Sequence, residues 1–272
     1  MRLDLRAFRF PTLRHLAPPL VLAALFVAML LPAPAAGQSV VHKWTQAPDA
    51  TSMGVDVNAS GSYILADDFL CGQTGPITQI TIWGSWRQDW LPYGTDPSAV
   101  TFTLSIHGDI PAGSQGYSQP DEPLWFQTFE PGQFAVEVEF ENVPEGWLDP
   151  PESYSYPADF RCWRYTFTIP EPLAFVQQGT KESPVIYWLD VKAIPSDSQA
   201  FFGWKTSMAH WNDDAVWGTG GEPYVGPWHE LVYPPGHQYG GQSIDLAFQI
   251  GMPADQYDFG DAPDNPLAPG YP

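Results

Sequence analysis

Basic residues are scarce: 11 Lys+Arg stand against 31 Asp+Glu in 272 residues, a formal charge of -20. That shortage excludes the cationic face on which nucleic-acid binding depends. It also excludes docking on an anionic membrane surface. Cysteine is nearly absent, with Cys71 and Cys162 alone, so a disulfide-dense scaffold is excluded. No Cys-x-x-Cys and no histidine pair at ligand spacing is present, which argues against zinc or dithiol redox chemistry. Helical periodicity is missing after the first segment, and 30 Pro and 24 Gly cut the chain into short pieces. There is no G-x-S-x-G, no H-E-x-x-H and no phosphate-cradling glycine loop.

What is present is apolar mass. Hydrophobic residues make up 44% and aromatics 15%, too much for a disordered chain. One long apolar run occurs, at residues 20–31, preceded by Arg2, Arg6, Arg9 and Arg14 and followed by Ala33, Ala35, Ala36 and Gly37. This is the order of a secretory signal peptide, and twelve apolar residues are short for a membrane span. The reading divides the chain into a signal peptide (1–37), a domain (38–252) and a Pro/Asp/Gly-rich linker or tail (253–272). Cleavage between Ala35 and Gln38 removes four arginines and one aspartate, leaving a still more acidic product with no further transmembrane segment. The expected location is extracellular or at the cell surface, where Cys71 and Cys162 are expected to form one disulfide; two buried thiols are the alternative.

Alternation with period two dominates the rest. Residues 99–107 turn Val100, Phe102, Leu104 and Ile106 one way, and residues 134–141 do the same with Phe134, Val136, Val138 and Phe140. Residues 243–251 would bury Ile244, Leu246, Phe248 and Ile250. Weaker runs lie at 63–70, 77–83, 124–129, 161–169, 185–193, 201–205 and 228–233. About ten short strands predict an all-β, antiparallel β-sandwich. Long connections at 108–122 and 142–159 favour a jelly-roll-like form.

Several stretches resemble an uncharacterised family of secreted bacterial and archaeal domains. They include LADDFLC (65–71), GPITQITIWGSW (75–86), FGWKTS (202–207), HWNDDAVW (210–217) and SIDLAFQI (243–250). The tail segment DFGDAPD (258–264) is similar to one that precedes GEVED-type modules in bacterial surface proteins. The resemblance implies a domain of unknown function and brings no activity with it.

Four tryptophans lie by predicted loops: Trp86, Trp90, Trp211 and Trp217. Exposed rings flanked by acids suit stacking on sugars; the competing role is filling space between sheets, which Trp83, Trp188 and Trp204 are expected to do. Asn212, Asp213 and Asp214 supply oxygens that would suit calcium, the one cofactor considered, or would hold an Asx-type turn. Adjacent Asp67 and Asp68 must face opposite sides of a strand, so they cannot act as a pair. Asn58-Ala59-Ser60 fits the glycosylation pattern. A hydrolase would draw on Glu130, Asp190, Asp213, Asp214, Glu222, His229 or Glu230, none at telling spacing. The sequence therefore predicts a secreted, non-catalytic structural or binding module. The rival readings are a carbohydrate-binding module and a secreted hydrolase such as a glycosidase, and the partners expected are an extracellular polysaccharide or a surface protein.

Overall fold

A computed structural model describes residues 39–113 and 116–254. The expected leader and the tail beyond residue 254 lie outside the described residues. The chain begins with β1 (Val40–Gln46), β2 (Val55–Asn58), β3 (Tyr63–Cys71), β4 (Gly75–Pro76) and β5 (Gln79–Trp86). Four long strands follow: β6 (Val100–Ile110), β7 (Gln119–Phe129), β8 (Phe134–Asp149) and β9 (Ser153–Thr168). Then come β10 (Val176–Gln177), β11 (Val185–Pro195), β12 (Phe202–Ser207) and β13 (Val216–Thr219). The last are β14 (His229–Glu230), β15 (Asp245–Leu246) and β16 (Phe248–Pro253).

The all-β reading holds. Eight strands form one sheet in the order β1-β16-β5-β9-β8-β2-β12-β15, and six form another in the order β14-β13-β3-β11-β6-β7. Residues of both sheets fill the core between them. Val100, Phe102, Leu104 and Ile106 are buried as their alternation requires, as are Ile244, Leu246, Phe248 and Ile250. Phe102 is the hub: its ring centroid lies 5.1 Å from Tyr165 and from Phe202 and 5.4 Å from Phe134 and from Phe167, in edge-on geometries that aromatic quadrupoles favour.

Four expectations need correction. Residues 142–159 are not a long connection but the turning end of the β8–β9 hairpin, whose prolines and register shifts hide the alternation. Val138 is turned out to 45% exposure because the register shifts between it and Phe140. The pairing is not wholly antiparallel, since β2 runs parallel to β8. Most plainly, Cys71 and Cys162 are not bonded to each other: both are free and buried. Cys71 ends β3 in the six-stranded sheet and belongs to the main core, whereas Cys162 sits on β9 in a separate cluster with Trp83 and Ala247. Burial pushes both thiols up, which keeps them protonated and unreactive. Denatured but unreduced protein is thus expected to take up two alkyl groups per chain, read by mass; uptake of none would restore the bridge.

Candidate functional site

The larger sheet curls and partly closes on itself. Following its pairings, β5 meets β9, β9 meets β8, β8 meets β2, β2 meets β12, and β12 returns to β5. The registers place one residue set on the inside of this five-strand ring: Ser85 opposite Gly203 and Cys162, Glu145 opposite Asp159, and Asp56 opposite Lys205. Contacts across the lumen confirm that these side chains point inward. Lys205 on β12 bonds Glu145 on β8, and Ser85 Oγ on β5 donates to Glu145 Oε2 at 3.2 Å, although neither strand pair is adjacent. The lumen is narrow. A Cβ on Gly203 would stand 2.7 Å from the Trp147 ring, and one on Gly54 would stand 2.7 Å from Lys205 Nζ, so both positions need glycine for close approach.

Asp56, Ser85, Glu145, Asp159, Cys162 and Lys205 are all fully buried. Lys205 Nζ lies 3.2 Å from Asp56 Oδ2 and touches Glu145 Oε1. Three carboxyls therefore share one ammonium. Burial raises Asp56 to about 7, with Lys205 pulling against it. Burial, and then the charge of Asp56, raises Asp159 to about 10. Burial lowers Lys205, but Asp56 and Glu145 outweigh it, and the net shift is upward. No fixed N–H or O–H donor reaches either oxygen of Asp159 or Oδ1 of Asp56. Among the described residues, Asp56, Glu145 and Asp159 form the one trio whose ligand atoms lie within 4.8 Å of one another. The Lys205 ammonium already stands between two of them, where a metal ion would have to sit.

A second buried polar group lies on the outer face of the six-stranded sheet, beneath the segment that includes Glu222, Tyr224 and Trp228. His107 Nε2 is 2.7 Å from Asp190 Oδ2, and Nδ1 is 2.7 Å from the Asp121 carbonyl oxygen. A backbone carbonyl and a carboxylate, both acceptors, face the two ring nitrogens, so the surroundings favour the doubly protonated ring. Burial lowers His107, but the Asp190 carboxylate outweighs it and the net shift is upward. A ring so occupied has no lone pair to offer as a general base. Glu222, near Asp190, is raised to about 8 by burial and then by that carboxylate.

The structure separates the predicted site residues. Trp86 is wholly buried, its Nε1–H donating to Tyr165 OH at 3.0 Å, so it is a core residue and not part of a surface platform. Trp90 is 54% exposed beside a shallow cavity of about 320 Å³ lined by Arg87, Gln88, Gln199 and Phe201. Trp211 packs edge-on against Trp44, and Trp217 packs against His229 and Tyr63. These partners are all different, and the tryptophans do not stack with one another. Asn58 is also buried, bonded to Asp149 and Ser60, which removes it as a glycosylation site.

Asn212, Asp213 and Asp214 diverge. Asn212, with φ at 57°, donates its amide to Asp68; Asp213 accepts from Ser118 Oγ at 2.6 Å; Asp214 bonds Glu230. A turn is the form they take, and their polar atoms go to three different partners. Asp67 and Asp68 do face opposite ways. Asp67 Oδ2 accepts the Leu246 N–H at 2.6 Å and Gln46 Nε2 at 2.9 Å. Of the hydrolase candidates, Asp190 approaches Glu222 and Asp214 approaches Glu230, while Glu130 lies apart, accepting from Thr101, and His229 stacks on Trp217. Sequence reasoning missed the barrel lumen altogether. Its signals were charges inside apolar strands, Asp56 in Val55–Asn58 and Lys205 in Phe202–Ser207, the latter among only 11 basic residues.

No curated protein and no solved structure matches the chain. Residues 42–251 match the family described as Domain of unknown function (DUF7901), and the chain belongs to that family.

Proposed function

We propose that the chain is a non-catalytic module of an extracellular or cell-surface protein, exported by its N-terminal leader. One observation carries this reading: the two most closely knit polar networks, which hold the groups fit for acid–base work on a substrate, are sealed inside the fold, and among the described residues only the Asp214–Glu230 carboxyl pair meets solvent. His107 and Asp190 hold each other, and Lys205 is locked between Asp56 and Glu145.

Polysaccharide binding is the second reading, and the Trp90 loop favours it. Gln88, Asp89 and Tyr93 all adopt left-handed backbone, with φ of 60°, 54° and 52°. Non-glycine residues are rarely held so, and such strain collects where a loop has a function. The loop displays Trp90 and the 68% exposed Tyr93, with Arg87, Gln88 and Gln199 beside Trp90 to bond hydroxyls. A panel of insoluble and soluble polysaccharides tests this by pull-down and intrinsic fluorescence. Saturable binding is expected to weaken at least about tenfold in Trp90→Ala, the scale of losing one exposed aromatic anchor. Binding indifferent to Trp90 would remove the loop from the reading. Release of reducing sugar by the purified chain would overturn the non-catalytic reading.

A further inference from the structure

We propose that Lys205 and Asp56 become joined by an amide bond inside the barrel, with Glu145 relaying the proton. The two residues face each other directly across the antiparallel β2–β12 pair. Nζ lies 3.2 Å from a carboxylate oxygen of Asp56, and both side chains are sealed from water. Strand pairing fixes their backbones, and Gly54 clears the path of the lysine stem. Groups held this way react as if present at effective concentrations of about 10⁵ M or more. In water, hydration of the two ions opposes condensation. In the lumen that hydration is absent, and a buried ion pair carries a desolvation cost that a neutral amide does not. Amide formation removes one charge of each sign.

The neighbours supply what the step requires. Glu145 touches Nζ and is steadied by Ser85, so it is placed to take a proton from the ammonium. The freed amine attacks Cγ of Asp56, forming the C–N bond. In the tetrahedral adduct the relayed proton and a second amine proton pass to one former carboxylate oxygen. Its C–O bond breaks and it leaves as water. An ammonium and a carboxylate have become an amide and a water molecule, with no oxidant and no co-reactant. Asp159 has an oxygen within 4.8 Å of Asp56 and shares a hydrogen bond with Glu145, so it stands beside the relay and helps to position it. The bond would tie residues 149 positions apart and lock the ring closed. It would give this chain, with its two unpaired thiols, a staple that reducing agents do not cut. The proposal does not depend on the polysaccharide reading.

The test is intact mass of the purified full chain under denaturing, reducing conditions. The expected mass lies one water, about 18 Da, below that calculated for the purified chain from its own first residue onward, as an intramolecular condensation requires. Tandem mass spectrometry is expected to find the Asp56 and Lys205 peptides as one branched species. Glu145→Gln is expected to fold, by tryptophan fluorescence, and to carry the full mass. Lys205→Arg, which keeps the cation, provides the same comparison should Glu145→Gln fail to fold. A full mass for the unaltered chain would overturn the proposal, whether or not a divalent ion co-purifies with the acids. So would a water loss mapped to another pair, and a Glu145→Gln chain that still links would remove the relay.

Discussion

Between about pH 5 and about pH 9 the melting temperature of the domain is expected to fall by roughly 10 °C. Most proteins lose stability toward acid, because their carboxyls are held ionised in the fold. Here the reverse applies. Burial raises Asp68 to about 8, and burial raises Asp245 to about 7 against the pull of His210. Glu222 reaches about 8, and Asp67, with Asp245 and Asp68 as neighbours, also moves well up. Each of these acids has a folded value above its unfolded one, near 4. Their stabilisation is complete below about pH 4 and is lost as the pH climbs through the folded values, about 7 to 8. His107 adds in the same direction, since its charged form is the one the fold holds.

A tenfold change in a group's acidity on folding corresponds to about 1.4 kcal/mol, and mutual coupling leaves a total of roughly 3–5 kcal/mol. For a domain of this size that is about 2–4 °C for each kcal/mol. Melting followed by tryptophan fluorescence across the pH range checks it. A profile that is flat or rises toward pH 9 would show that these acids are not held protonated. Asp68→Asn and Glu222→Gln, which fix the neutral form, are expected to flatten the slope. The barrel lumen is not needed for this result, so a cross-linked and an uncross-linked chain should both show it.

Replacing Lys205 by Met is expected to cost about 3–5 kcal/mol, because it takes the ammonium away from a buried group of three acids. The melting temperature should drop by roughly 6–20 °C. The loss arises less from a missing bond than from the carboxyls left without a counter-charge. Adding Asp56→Asn and Glu145→Gln to the same chain is therefore expected to recover part of it, because neutral amides need no ammonium beside them. Denaturant titration of the three chains decides this. A Lys205→Met chain as stable as the parent would mean that the acids are neutralised by protons alone. In a parent chain whose amide has formed there is no free ammonium at Lys205, and the single variant's deficit is instead the lost cross-link together with the Asp56 carboxyl set free; the mass of each chain tells which case applies.

A carboxyl pair, one face of β6 and one tryptophan show how much was legible beforehand. Asp67 and Asp68 were legible, because strand geometry is local: neighbours alternate, so one faces the core beside Leu65 and Phe69 and the other faces out. The bond from the Leu246 N–H to Asp67 agrees with that reading. Thr103, Ser105 and His107 were legible only in part. Their alternation marks a solvent face, yet all three are buried, because residues beyond 208 fold back over the sheet. Trp86 was misread for a related reason. It ends a strand beside a loop, but β12 returns to pair with it at Phe202, and the ring is enclosed.

The sequence by itself determined the strand class, the core faces of β6 and β16 and the acid excess. These follow from composition and from a period of two, which any short window contains. Only the tertiary structure decided that Cys71 and Cys162 lie apart, that four tryptophans have four different surroundings, and that a sheet closes around Lys205. Those outcomes depend on strand registers set between distant segments: Asp56 meets its lysine across 149 residues. Pairing at that range is selected by the packing of the whole core and leaves no periodic trace in either partner's own stretch of sequence.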